Sequence, residues 1–421
     1  MLGERIRTLR KQQKMTLEAL AGHELTKGML SLIENNKANP SMESLLYIAS
    51  RLGVEVSDLL EEISLQELRA ILEKAETLYN EKKINSCSNG TGISNDKQII
   101  ELITPYLSKL AQGYESARLL DIYSRSLFYE KKEGWLLFAD KAATLYEEMN
   151  LTAQRVDIGI FRSKETFLEH KYSESLSILL TERAKIEASY SYLDPMSRLD
   201  LDYHEAALHF AVGDTKSAIR VIENAIDLSK ESRIFYRIDD LYRMAAAHAM
   251  MENNIEKNEY YSKKLKLYGE FADDLNSILF YHLMSIDSLI YEKQEYEQAL
   301  EKIDAFLLDQ TTIEIYRPYL YLEKGKVLYY LENYLEALEW LEKVSIPSVL
   351  HHPFDLSLFN VKDSYQALCQ LELKNWTQAA QFAKTAIEHF ETLPDSPFKD
   401  FAIETFHTIQ EKSNDPKRAE K

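Results

Sequence analysis

Apolar residues recur along this chain at spacings of three and four, the period of amphipathic helices, in blocks separated by short polar turns. Leu2, Ile6 and Leu9 share one face of a first block ending near Gln13, with Arg5, Arg7, Arg10 and Lys11 mostly on the others. Thr16 has the character of an N-cap, with Glu18 and Ala19 in the first turn of a short helix that ends near Gly22. Thr26 is a second N-cap and opens a helix from Lys27 to Asn35. The segment from Asn35 to Pro40 is a polar turn, Ser41 caps a helix through Leu52, and Gly53 ends it. Val54 to Ser57 then leads into Asp58, Leu59 and Leu60. The pattern predicts about five short helices over residues 2–61.

A helix from Ile63 to about Tyr79 follows, with Leu65, Leu68, Leu72, Ala75 and Tyr79 at coiled-coil spacing. This seam either dimerises the chain or packs on the rest of it, and the pattern leaves both open. The stretch from Asn85 to Gly92 is polar and glycine-containing, the best linker candidate in the chain. Beyond it the sequence repeats itself. Trp135, Tyr172, Thr215, Ile255, Tyr296, Tyr334 and Trp376 recur at intervals of 37, 43, 40, 41, 38 and 42 residues. Nine positions before each anchor stand Ser126, Ser163, Ala206, Ala246, Asp287, Gly325 and Ala367, six of the seven small. Three positions after come Phe138, Ser175, Ala218, Asn258, Ala299, Ala337 and Ala379, five of them small. Antiparallel helices need a small residue where their backbones meet, and one pair alone does not bury its apolar faces, so pairs stack. The run from Tyr321, YLEKGKVLYYLENYLEALEWLEKV, most resembles the tetratricopeptide consensus, although periods near forty imply longer helices or turns than that family usually has. The expected fold is all-α: a head of about five helices, then a superhelical solenoid of about seven tetratricopeptide-like helix pairs. The expected segments are 1–62 for the head, 63–97 for a linker helix and flexible linker, 98–411 for the repeats with Phe401–Ile409 as a capping helix, and 412–421 as a disordered tail.

Composition fits this picture. Glycine (12) and proline (9) are scarce in 421 residues, which favours helix throughout. No apolar run reaches eighteen residues and charges stand throughout the first twenty, so neither a signal peptide nor a membrane span is expected and the location is read as cytoplasmic. Two distant cysteines, Cys87 and Cys369, make no zinc motif or disulfide framework. The net charge of −18 argues against nucleic acid until its distribution is seen. Residues 1–37 carry seven basic and four acidic side chains, residues 1–60 a net +1, and the remainder −19. Only the head is suited to approach phosphates.

Two short helices joined by a tight turn, the second capped and carrying Lys27 in its first turn, suit a major-groove reader. The run LGERIRTLRKQQKMTLEALA, then LTKGMLSLIENNKANPSMESLLYIASRLGV and DLL, resembles the lambda-repressor/Cro-type helix-turn-helix regulators over residues 2–61. That resemblance implies a recognition helix at Thr26–Asn35, with Lys27, Gly28, Met29, Ser31 and Leu32 facing DNA and Asn36 and Lys37 near its backbone. It also implies core roles for Leu30 and Ile33 and a structural role for Glu34. Two positions depart from the family: Leu17 stands where a phosphate-binding Gln is usual, and Leu32 where Arg or Lys is common. Base readout then rests on Lys27, Ser31 and a thymine-methyl contact from Met29, unless Met29 and Leu32 are buried against another helix. Arg5, Arg10 and Lys14 are candidates to neutralise phosphates. So few base contacts on one head point to a homodimer on double-stranded DNA with a palindromic operator.

In the repeats, the register places Asp157, Lys164, Asp200, Tyr203, Asp240, Arg243, Tyr281, Tyr319, Lys326 and Tyr329 on the concave face, with Asn360 one step off it. Tyrosines among charged tips suit an extended peptide; packing between repeats is the alternative use of each tyrosine. A repressor-type head on such repeats resembles the RNPP group of peptide-responsive regulators of Gram-positive bacteria. The resemblance implies a homodimer whose solenoid binds a short signalling peptide that modulates operator binding. That group clamps peptide backbones with inner-face asparagines, and the predicted inner face holds none. Two other readings stay open: repeats that dock a protein partner, and a scaffold whose head has lost DNA binding. No enzyme, cofactor, metal or membrane role is expected: His204 and His209 lie five apart, His351 and His352 precede Pro353 in a loop, and phosphate-binding glycine loops and nucleophile motifs are missing from the sequence.

Overall fold

The computed structural model describes residues 2–60, 64–89, 95–309 and 316–413, without the side chains of 57–58, 82–89 and 413. Every described element is helical, and no described helix is long and apolar enough to cross a membrane. The chain divides into two compact units, 1–158 and 159–421.

The first unit opens with α1 (Leu2–Gln12), α2 (Leu17–Ala21), α3 (Lys27–Glu34), α4 (Met42–Leu52) and α5 (Val56–Leu60). Their starts are built locally. Thr16, Thr26 and Ser41 each accept a hydrogen bond from the backbone N–H three residues on, at 3.0, 3.1 and 3.2 Å, which satisfies a donor the helix leaves unpaired. Ile6, Leu20, Leu30, Ile33, Ile48, Leu52 and Leu59 form the core, with Leu2, Leu9 and Leu17 packed at its edge. Two glycines permit close approach. A Cβ on Gly3 would stand 2.0 Å from the Ile33 carbonyl oxygen, and Gly3 N donates to Asn36 Oδ1 at 2.9 Å, locking α1 onto the end of α3. Gly22 ends α2 at φ +57°, and a Cβ there would strike the Tyr47 hydroxyl.

Helix α6 runs Leu65–Asn89. It buries Leu68, Ile71, Ala75 and Tyr79, while Leu65 is exposed and Leu72 half-buried. This face packs on α7 (Asp96–Ile103) and α8 (Gly113–Tyr129), joined by a 3-10 turn at Thr104–Lys109. Arg118 Nε donates to Glu76 at 2.9 Å with its guanidinium 5.5 Å from the Tyr79 ring, and Arg69 donates to Glu115 at 2.9 Å. Of the two uses left open for the seam, packing on the chain's own helices is the one observed. The linker expected at Asn85–Gly92 begins as helix, since α6 extends through Asn89; Gly90, Thr91 and Gly92 lie outside the described residues, as do Ile63 and 414–421. α8 pairs with α9 (Trp135–Glu148), and α10 (Thr152–Arg162) begins in this unit.

The second unit takes up the end of α10, then α11 (Lys164–Leu168) and α12 (Tyr172–Ser189). Four pairs follow: α13 (Pro195–Ala211) with α14 (Thr215–Ser232), α15 (Ile238–Met251) with α16 (Ile255–Ala272), α17 (Leu275–Asp287) with α18 (Tyr296–Leu308), and α19 (Arg317–Tyr330) with α20 (Tyr334–Glu342). A π turn at Ser288–Glu292 extends α17. The last pair is α21 (Pro353–Glu372) with α22 (Trp376–Phe390), and α23 (Pro397–Ser413) closes the chain. Seven pairs are thus present along the sequence, and each anchor is the first residue of its pair's second helix. The positions nine before are buried in every repeat. Three after, Phe138 and Asn258 are only half-buried, and in the first pair the neighbouring Ala139 is buried instead.

Candidate nucleic-acid interface and repeat-domain site

The head turns one side of α3 inward and leaves the other bare. Leu30, Ile33 and Glu34 are buried, whereas Met29 is 39% and Leu32 46% exposed. Neither of the latter is buried against another helix. Lys27 is exposed at the first position of α3, where its ammonium pairs with Glu18 of α2. Gly28 faces open space, Ser31 is half-buried and Lys37 exposed. Asn36 takes up the left-handed backbone at φ 54° and spends its side-chain oxygen on Gly3 N. Arg5 is half-buried and Lys14 exposed, both clear of the core.

Arg10 is the correction among the phosphate candidates. Its guanidinium is buried and forks onto Glu34, Nε to Oε1 at 2.6 Å and Nη2 to Oε2 at 2.9 Å, while Nη1 donates to the Met15 carbonyl at 2.8 Å. With its donors engaged inside the head, it ties α1 to α3 rather than meeting DNA. Leu17, the departure from the family's Gln, packs at the edge of the core.

The expected groove residues separate into an ion pair, an ion cluster and a buried polar network, with Lys164, Tyr281, Tyr329 and Asn360 outside all three. Asp157 is exposed and receives Arg125 Nη2 at 2.7 Å, both within the first unit. In the second unit, α13 and α15 carry an ion cluster. Asp200 receives Tyr236 Oη at 2.9 Å and Arg237 Nε at 2.8 Å; Asp240 receives Arg237 at 2.9 Å and Arg243 at 2.7 Å. Tyr203 lies under the Arg237 guanidinium at 4.7 Å. Lys164 is half-buried at the start of α11, Tyr281 lies 5.3 Å from Lys266 Nζ, and Asn360 Nδ2 donates to the His389 carbonyl at 3.4 Å. Tyr329 packs its ring on Tyr330, Tyr334 and Tyr365. It serves contact between repeats.

Tyr319 and Lys326 belong to a third group, a buried polar network. Tyr319 Oη donates to Asp287, 2.6 and 2.7 Å from its two oxygens, and Lys326 Nζ donates to Glu323 Oε1 at 2.7 Å. Asp287, Glu323 and Lys326 are 4%, 0% and 1% exposed. Tyr291, set by the π turn, reaches Glu323 at 3.4 Å, and Tyr330 and Tyr365 share a hydroxyl contact of 2.9 Å. Burial, then the neighbouring Glu323, pushes the Asp287 carboxyl up to about 8, against the Tyr319 hydrogen bond and the Lys326 charge. The network opens on a cleft of 430 Å³ where the turn between α15 and α16, the π turn, α19 and the starts of α21 and α23 meet. Asn253, Asn254 and Asn258 line its other side.

Sequence reading missed Asp287, Glu323, Tyr291 and Tyr365 as site residues. One signal was present: Asp287 is the single charged residue at a close-packed crossing that is otherwise Ser, Ala or Gly. The asparagines were missed because they stand in a turn and on a second helix, not on the inner helices.

Residues 3–65 match a family model described as a helix-turn-helix domain. Among curated proteins none matches the chain. Solved structures similar to it include the SHP pheromone receptor Rgg2 of Streptococcus dysgalactiae, 16% identical over 67% of this chain and 98% of that one, TM-score 0.31. ComR of Streptococcus vestibularis, solved with its cognate signalling peptide XIP, is 17% identical over 68% and 97%, TM-score 0.38. PlcR of Bacillus thuringiensis, solved with the peptide PapR7 and DNA, is 15% identical over 98% and 99%, TM-score 0.23. Residues 3–65 thus form a helix-turn-helix domain ahead of the repeated helix pairs, and such a domain is the DNA-binding part of transcription regulators.

Proposed function

We propose that this protein regulates transcription in the cytoplasm as a homodimer whose α3 helices enter successive major grooves and whose repeats bind a short peptide that modulates operator binding. The observation that carries the DNA-binding half is the bare face of α3: Lys27, Gly28, Met29 and Leu32 point away from a core that the other face completes. A capped, exposed, Lys-bearing first turn is what base-edge contact requires. The thin set of hydrogen-bonding side chains there makes one head a weak binder and two heads on a palindrome an adequate one. For the peptide half, the support is the cleft beside α19, which offers aromatic and apolar walls with a few convergent polar groups. Asn36 and Lys37 follow the recognition helix, with Lys37 exposed beside the expected DNA backbone.

Titration of full-length protein onto a labelled palindromic duplex, over a range of salt, tests the reading. It predicts two protomers per duplex and a log–log fall of affinity with salt. Salt-independent retention, or none at 50 mM salt, would leave a repeat scaffold with an inert head.

A further inference from the structure

We propose that the cleft between the π turn and α19 receives a cationic group of the bound peptide, and that the Asp287 carboxylate is its partner. The inference rests on the peptide-binding reading above and names the ligand chemistry that reading lacks. Three observations carry it. Glu323 is already matched by Lys326, whereas the one hydrogen-bond partner of Asp287 among the described residues is the Tyr319 hydroxyl, a single proton shared by two carboxylate oxygens. The charge around the cleft is unbalanced even with Asp287 protonated, since Glu323 and Glu292 face one ammonium, Lys326. An anionic ligand would meet those carboxylates with the only ammonium taken. The remaining wall, with Met250, Ile255, Leu358 and Phe398, suits the methylene stem of a lysine or arginine. Among the described residues no group of His, Cys, Asp and Glu side chains is placed to hold a metal ion, which favours an organic cation.

The exchange balances in protons. In the empty cleft burial keeps the Asp287 carboxyl protonated near neutrality. An arriving ammonium or guanidinium keeps its own protons, Asp287 gives its proton to the buffer, and a buried ion pair replaces the neutral acid. The other groups facing Asp287 do not supply that proton. Tyr319 on α19, Tyr291 on the π turn and Tyr365 on α21 are all held well above the usual phenol range by burial. Glu323 is committed to Lys326 and Glu292 to Ser288 Oγ at 2.6 Å. From the turn between α15 and α16 it is Asn253 and Asn254 that line the cleft, and Glu252 of that turn does not.

The test uses full-length protein and two random hexapeptide libraries, one acetyl-capped and amidated, the other with free amino termini but lacking Lys and Arg. Retained peptides are read by mass spectrometry. Enrichment of Lys or Arg at one position of the capped library, by about fivefold or more, assigns the cation to a side chain; retention confined to the second library assigns it to the amino terminus. Asp287→Asn, which keeps an acceptor for Tyr319, should weaken the best cationic peptide at least about tenfold. Calorimetry of the wild-type protein at pH 7 in two buffers of different ionisation enthalpy should show release approaching one proton, independent of how the variant folds. Retained peptides without cationic preference, or binding with no proton release, overturn this inference alone. If neither library leaves any peptide on the protein, the peptide-binding reading falls with it.

Discussion

Arg10 and Lys27 are both basic residues of the head, yet their surroundings set them to different tasks. Arg10 holds a buried carboxyl group, so Arg10→Ala leaves the buried Glu34 without its partner and should cost the head about 3–5 kcal/mol. Lys27 touches only the exposed Glu18, so Lys27→Ala should leave the melting curve unchanged and weaken binding to the selected operator by about 1–3 kcal/mol. Urea unfolding and operator titration of the two variants check this; equal loss for Lys27→Ala on random DNA would make it a phosphate contact. Asp287 gives a pH prediction. Its carboxyl titrates near 8 in the folded chain and near ~3.9 when unfolded, so folding takes up a proton between those values. That contribution is complete below the unfolded value and drains away as pH rises through 8. Asp287→Asn lacks the loss, so its Tm relative to wild type should rise between pH 5 and 9, by at least about 2 °C. Parallel curves would mean that Asp287 is ionised throughout.

At the scale of helices, the repeat register turns on small residues at crossings. A Cβ at Gly325 would lie 2.5 Å from Leu341 Cγ, so Gly325→Leu should overpack α19 against α20 and cost about 1–3 kcal/mol. Gly28 in α3 has nothing within 4 Å, and Gly28→Ala should instead add up to about 1 kcal/mol through helix propensity. Thermal melts of the pair check both signs, and an unchanged melt for Gly325→Leu would break the register. These elements were legible because their signals are local: caps at Thr16, Thr26 and Ser41, and in most repeats a large residue opening the second helix nine positions after a small one. What convergence decides was not legible. Asp287, Glu323 and Tyr365 come from three helices, and periodicity within each says nothing of which side chains meet. The π turn after Asp287 shifts the phase that a 3.6-residue period would carry forward. In α6 the buried face uses Ile71, where a strict heptad would use Leu72. Arg10 was misread for the same reason, because the partner that buries it lies 24 residues away.

On the scale of the whole chain, the second unit closes on itself. His352 caps α21 by accepting from Phe354 N at Nδ1 and donates from Nε2 to the Ala207 carbonyl of α13 at 2.9 Å, while Tyr172 Oη donates to the His351 carbonyl at 2.8 Å. Residues 145 and 179 positions apart are thereby joined, which ties α12 and α13 to the start of α21 within the second unit. His352→Ala removes the cap and one tether and should cost about 1–2 kcal/mol, read as a lower urea midpoint; an unchanged midpoint would show that closure rests elsewhere. The charge of the chain is divided in the same spirit, with +1 over the first sixty residues and −19 over the rest, so that the head alone is drawn to phosphate. The central claim is that this head reads DNA, and selection from a random duplex library with the full-length protein tests it most directly. The account predicts recovered duplexes sharing two inverted half-sites about one helical turn, or a multiple of it, apart. Recovered pools no different from the starting library would contradict it.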